Sequence, residues 1–227
     1  MCLSSRGILE IDVCVSISYR PSTGTVKAFL QGCTSKQQSE VGSQLREFSA
    51  LSGHPLLVPI LLAQLKVCCI EEEEADLWNL LVDVETRSRQ TGAPAINSAS
   101  PYDDLMVGDR VANSIIQQER DDSKFQRITL DVVGIIQRTT YAESHAKALL
   151  LSIDEIRKSM EVVRDAAATF KTGHVEKVGE MLSEKLDLLE HKTRVTTGDI
   201  GFVEKRAQAQ QSAVRLVINN RKHFDIS

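Results

Sequence analysis

The densest group of ionisable side chains is the run Glu71-Glu72-Glu73-Glu74, with Asp76 two residues on. Carboxylate oxygens are the natural ligands of hard divalent cations and are also docking points for basic partners. Residues 54–122 carry five basic against thirteen acidic side chains, a local excess of eight negative charges in a chain of formal net charge −4. Adjacent helical residues point about 100° apart, however, so four consecutive glutamates cannot converge on one ion. The run therefore reads as a solvated face, and no metal ligand is assigned in it.

The remaining reactive side chains do not assemble into a site. The five histidines, His54, His145, His174, His191 and His223, are dispersed, and none has a zinc-type spacing to a cysteine or to another histidine. Cys68 and Cys69 are adjacent, which is not a C-x-x-C pair, and Cys2, Cys14 and Cys33 complete an odd number with no disulfide-framework spacing. These residues read as packing positions in a protein of a reducing compartment. No serine lies in G-x-S-x-G, and neither G-x-x-x-x-G-K-[ST] nor G-x-G-x-x-G occurs. No catalytic, cofactor-binding or metal-binding residue is assigned, no cofactor is expected, and the chain is read as not an enzyme.

Trp78, the single tryptophan, lies among Leu77, Leu80 and Leu81 and reads as a core residue, with partner anchoring as the sharper alternative. From Lys171 to Ser227 ten basic residues stand against eight acidic ones, which favours a solvated face over a membrane-surface contact. The whole-chain balance, 27 basic against 31 acidic, gives no electrostatic reason for binding nucleic acid.

The elements that would carry these residues follow from patterning. With 42% hydrophobic and 26% charged residues in 227, the chain is core-forming rather than disordered. Arg6, Glu10 and Asp12 interrupt any apolar signal core at the N-terminus, and no mitochondrial presequence pattern is readable. The apolar stretch Leu56 to Leu65 is broken by Pro59 and Gln64, far short of the ~20 residues of a bilayer span. Ile8 to Tyr19 alternates Ile11, Val13, Val15, Ile17 and Tyr19 with smaller or polar residues, a strand signal. Arg20-Pro21-Ser22-Thr23-Gly24 is a turn, and Val26 to Leu30 returns as a second strand. A lone hairpin is marginally stable, so it must pack on helices.

Helices are expected over Ser35 to Leu51 and Pro55 to Arg89, with a risk of a kink at Pro59. Ile96 to Asp103 is a polar, small-residue linker, and helix resumes near Asp104 or Asp109. All five prolines precede residue 102. Beyond them, Ile128, Val132, Ile135, Thr139, Ala142, Ala146, Leu149, Ile153, Ile156, Met160, Val163, Ala167 and Phe170 alternate steps of four and three, the repeat of a coiled-coil seam. They predict one helix from about Ser123 to Lys171, ending at Thr172-Gly173-His174. A second seam runs Leu182, Leu186, Leu189, Thr193, Thr196, Ile200, Val203, Ala207, Gln210, Val214, Val217, Arg221 and Phe224. Its threonines, with Gly198 and Gly201, predict a kink or break near Thr196 to Gly201.

Fold class is thus mainly α with an α+β start: a short N-terminal β-hairpin packed on helices, then long antiparallel coiled-coil-like helices. The domain division is an N-terminal α+β region at 1–95, a linker at 96–103 and a long helical, stalk-like hairpin at 104–227. Burying the two seams against each other competes with self-association through them.

The segment His54-Pro55-Leu56-Leu57-Val58-Pro59-Ile60-Leu61-Leu62-Ala63, the later Val84 to Gly92, and the distal Glu204-Lys205-Arg206-Ala207-Gln208-Ala209-Gln210 stretch through Asn219 resemble the cytosolic region of fungal CorA-like proteins. That resemblance, over roughly residues 10–226, implies a cytosolic domain of some strands and packed helices ending in a stalk. Transporters of the family add a transmembrane pair with a G-x-N pore motif and are pentamers. Neither feature is present up to Ser227, and Arg221-Lys222-His223-Phe224-Asp225 departs from the family's more acidic helix, so no ion conduction is expected.

The resulting expectation is a non-enzymatic helical protein resembling the cytosolic domain of CorA-like proteins. The alternative is a soluble coiled-coil scaffold unrelated to transporters. Its partner would be a protein or a second copy meeting the seams, not nucleic acid. The expected location is cytoplasmic, with membrane association only if a C-terminal transmembrane part follows.

Overall fold

A computed structural model describes residues 13–20, 22–51, 53–91, 107–170 and 173–224. The order is β1 (Cys14–Arg20), β2 (Thr25–Gln31), α1 (Ser35–Glu47), a 3-10 turn (Ser49–Leu51), α2 (Leu57–Thr91), α3 (Val107–Phe170) and α4 (Gly173–Phe224). The fold is mainly helical, a short antiparallel hairpin followed by long helices packed together, as the patterns predict. Ile8 to Asp12 of the expected first strand, the linker 96–103 and residues 171–172 lie outside the described residues. The same holds for the side chains of Phe170, Arg221 and Phe224.

The strands pair with Val15 opposite Leu30, Ile17 opposite Ala28 and Tyr19 opposite Val26. Because strand side chains alternate faces, this register places these six residues on one side, while Phe29, opposite Ser16, is exposed on the other. Gly24 takes φ 64° in the connecting turn, where a side chain would be strained, and Thr23 N–H donates to Arg20 O at 3.2 Å. Gly32, at φ 89°, turns the chain out of β2. Thr34 then caps α1 reciprocally with Gln37: the Gln37 N–H donates to Thr34 Oγ1, and the Thr34 N–H donates to Gln37 Oε1 at 2.8 Å. The expected helix to Leu51 ends instead at Glu47, and a separate 3-10 turn follows.

Helix α2 begins at Leu57 rather than Pro55, and this removes the expected difficulty at Pro59. As the third helical residue, Pro59 lacks an N–H that would have no intrahelical acceptor in any case. Helix α3 starts at Val107, well before Ser123. Helix α4 runs unbroken through Thr196 to Gly201, so the expected break there is absent. Within that stretch the threonine hydroxyls bond backward to the helix's own carbonyls: Thr193 to Leu189 O at 2.7 Å, Thr196 to Lys192 O at 3.0 Å and Thr197 to Thr193 O at 2.6 Å. A buried threonine whose hydroxyl is satisfied in this way can occupy a seam position without leaving an orphaned polar group.

The chain divides into two compact units, Met1–Glu74 with Ala142–Asp199 and Ala75–Tyr141 with Ile200–Ser227, the division falling inside α2, α3 and α4. In the first unit, Leu57, Ile60, Leu61, Val67 and Ile70 of α2 are buried. So are Ala142, Ala146, Leu149 and Ile153 of α3, and Val175, Val178, Leu182, Leu186 and Leu189 of α4. Arg157 Nη2 donates to Asp187 Oδ1 at 2.8 Å and to Glu190 Oε2 at 2.7 Å, 30 and 33 residues away. Thirty residues of straight helix span ~45 Å, so the chain must fold back and α3 and α4 are antiparallel.

In the second unit, Leu77, Leu81 and Val84 of α2, Phe125, Ile128, Val132, Ile135 and Thr139 of α3, and Ile200, Val203, Ala207 and Val214 of α4 are buried. Here Glu85 meets Arg206 and Ser88 meets Gln210, at separations of 121 and 122 residues. A constant offset means that α2 and α4 run parallel. The two seams predicted from steps of four and three are therefore buried within one chain over most of their length. Ile156, Met160, Val163, Gln210 and Val217 are only half-buried.

Candidate interaction surface

Placing Leu186, Thr193, Ile200 and Ala207 at position a of a heptad, and Leu182, Leu189, Thr196 and Val203 at d, assigns the rest of α4. Position c then holds Met181, Leu188, Val195, Phe202, Ala209 and Leu216. Met181, Leu188, Val195, Phe202 and Leu216 are each at least half exposed. Single exposed apolar residues are ordinary on any protein surface. A row recurring every seven residues is different, because such residues stay on one side of the helix and drift only ~20° per repeat. This row was not predicted, although its spacing is visible in the sequence; the stronger a/d pattern on the same helix masks it.

In the first unit the row comprises Met181, Leu188 and Val195, flanked at position g by Lys185 and Lys192 and at position f by Glu184 and His191. The Lys185 ammonium sits 4.3 Å from the centre of the Phe48 ring, and burial lowers its pKa. Lys192 Nζ is 3.1 Å from Glu71 Oε1 and keeps about half its side chain in solvent.

In the second unit Phe202 stacks on Trp78 of α2, with ring centroids 6.0 Å apart and planes 25° from parallel. The Arg206 guanidinium lies 5.1 Å from the Trp78 centroid and 5.8 Å from that of Phe202. It also donates to both carboxylate oxygens of Glu85. Trp78 is thus half-buried beside an exposed Phe202, not a core residue as expected; the core positions on that turn are Leu77 and Leu81.

The glutamate run is only partly the solvated face expected of it. Glu72 is exposed, Glu73 is buried, Glu71 is held by Lys192, and Glu74 is half-buried. The four point in different directions around a helix that is covered on more than one side. Burial first, then Asp199 and Glu71, raises the Glu74 carboxyl above its ordinary value. Among the described residues no three histidine, cysteine or acidic side chains converge to hold a metal ion, and no helix is long and apolar enough to cross a membrane.

Of the histidines, His54 is buried, His145 is half-buried and His191 is exposed; the side chains of His174 and His223 lie outside the described residues. Cys14, Cys33, Cys68 and Cys69 are free thiols. Burial raises the pKa of Cys33, and burial with neighbouring glutamates raises those of Cys68 and Cys69. A raised thiol pKa lowers the fraction of reactive thiolate.

Comparison of the chain with models of known families, with curated proteins and with solved structures gave no match.

Proposed function

We propose that the chain is a non-enzymatic helical scaffold of the cytoplasm that binds an α-helix of another protein along the outer row of α4. The observation that carries this reading is the row itself: Met181, Leu188 and Val195 recur every seven residues outside seams already filled within the chain. Seven helical residues rise ~10.5 Å, which matches the heptad of a second helix and not the ~6.8 Å repeat of a strand's same-face residues. Lys185 and Lys192 border the row on one side. In an antiparallel pairing of two copies about Leu188 these columns would face each other with like charge, which favours a different, acidic-flanked partner.

The test uses the full chain and a synthetic heptad helix with leucine at its apolar positions and glutamate flanks, followed by fluorescence anisotropy. Binding that weakens at least tenfold in Leu188→Glu and Val195→Glu, with the chain monomeric by sedimentation, is the expected result. Equal binding by both variants overturns the assignment of the row. Concentration-dependent dimerisation that these variants abolish replaces the foreign helix with a second copy.

A second reading, the cytosolic part of a CorA-like protein with a regulatory magnesium site, is supported by the place of the His54-Pro55-Leu56-Leu57-Val58-Pro59 segment at the opening of α2. A ligand that binds the native state raises its melting temperature, so millimolar magnesium should do so. An unchanged melting temperature counts against this reading.

A further inference from the structure

We propose that His54 is an acid-sensitive latch: neutral, it fastens the start of α2 beside Gly179 of α4, and protonated, it releases that segment. The imidazole is buried, and its Nδ1 accepts the backbone N–H of Leu56 at 3.2 Å. Nδ1 is therefore the unprotonated nitrogen of the neutral ring, and Nε2 carries the hydrogen. Nε2 lies 3.4 Å from where a Cβ on Gly179 would stand, so the ring rests against α4 at this point. Around it, the Leu57 N–H donates to His54 O at 3.2 Å and the His54 N–H to Leu51 O at 3.0 Å. One residue thus ties the 3-10 turn to the first turn of α2.

Protonation undoes this arrangement in three ways. Both ring nitrogens of an imidazolium are donors, so Nδ1–H would face the Leu56 N–H and leave it without an acceptor. The new charge would be buried, next in sequence to the buried Leu56, Leu57 and Val58, where it is poorly solvated. It would also lie at the N-terminus of α2, the positive end of the helix dipole. Among the described residues, burial is the cause of the lowering of the His54 pKa to about 4. Since the folded value lies below the ordinary 6.5, the contribution of the latch is complete above pH 6.5 and is lost as pH falls towards 4.

The decisive measurement is amide exchange of the full chain by NMR, corrected for intrinsic rates, comparing Leu56 and Ile60 with Leu186 between pH 7 and 4.5. Protection at Leu56 and Ile60 should lie below that of Leu186, as release of this segment alone requires, and should fall roughly tenfold per pH unit below 6.5. In His54→Asn the shorter side-chain oxygen can still accept the Leu56 N–H but does not titrate, so the local pH response should disappear. Protection at Leu56 and Ile60 equal to that at Leu186, or the same pH response in His54→Asn, overturns the latch. If the variant does not fold, the His54 ring shifts of the unmodified chain decide: titration near 6.5 overturns the proposal, and titration near 4 supports it.

Discussion

Arg206 of α4 donates through Nε at 3.1 Å and through Nη2 at 2.8 Å to Glu85 Oε1, while its guanidinium faces the stacked rings of Trp78 and Phe202. The carboxylate is mostly buried and the guanidinium about a third exposed, which makes this pair worth more than a surface bridge. Arg206→Lys keeps the charge but loses the planar fork and the stacking surface. It should cost about 1–2 kcal/mol in urea unfolding. A double-mutant cycle of Arg206→Ala with Glu85→Ala should give a coupling energy of at least ~1 kcal/mol. Coupling near zero would mean that the pair adds nothing beyond packing.

The same position of the α4 repeat holds Lys192, which pairs with Glu71, and one heptad later Asp199, which raises the Glu74 carboxyl. Like charges in a half-buried setting destabilise, so Asp199→Asn should raise stability at pH 7 by roughly 0.5 kcal/mol. The sign of the pH dependence follows from the raised Glu74 pKa. The folded state holds this proton more tightly than the unfolded one, so the destabilisation grows as pH rises from the ordinary carboxyl range through the raised value. The gain from Asp199→Asn should therefore shrink towards pH 4. Equilibrium unfolding of both proteins at pH 4.5 and 7 checks this, and a gain that is equal at both pH values argues against the acid pair.

Leu186 and Leu188 stand two residues apart on α4 with opposite surroundings, the first fully buried and the second mostly exposed. Leu186→Ala should cost about 2–5 kcal/mol, through lost burial and the cavity it leaves. Leu188→Ala should stay within ~0.5 kcal/mol. Comparable losses by urea unfolding would place Leu188 in the core and remove the outer row as a free surface.

The parts of the fold legible in the sequence are those set by local periodicity. Leu182, Leu186 and Leu189 announce their own face by spacing, and Val15, Ile17 and Tyr19 do so by alternation. At the N-terminal end of α4 the seam is harder to read, because its a position is Gly179, which has no side chain to mark the face, although the neighbouring Val175 and Val178 are buried. The break expected at Thr196 fails for a related reason. Low propensity is outweighed where a residue is packed from outside, and a hydroxyl bonded within the helix removes the polar penalty. The surroundings of Trp78 and the burial of Glu73 depend on neighbours far away in sequence, so periodicity within α2 does not encode them. The candidate surface was legible in principle, since a spacing of seven needs no structure; its exposure could be judged only after the a and d positions were known to be filled.

Two glycines of α4 separate helix propensity from tertiary fit. Gly198 is exposed in the helix interior, and a Cβ added there meets nothing within 4 Å. Gly198→Ala should stabilise by about 0.5–1 kcal/mol, the ordinary helix gain. At Gly179 the new methyl would stand 3.4 Å from His54 Nε2, an ordinary van der Waals distance, so it adds a contact with the ring to the helix gain. Gly179→Ala should therefore stabilise by more than Gly198→Ala, and the excess should vanish when His54→Asn is added, since the smaller side chain no longer reaches the methyl. Thermal or urea unfolding of the four proteins measures this as a cycle between positions 54 and 179. Equal gains at both glycines would show that His54 does not rest on α4 at Gly179, and would remove the contact on which the acid latch depends.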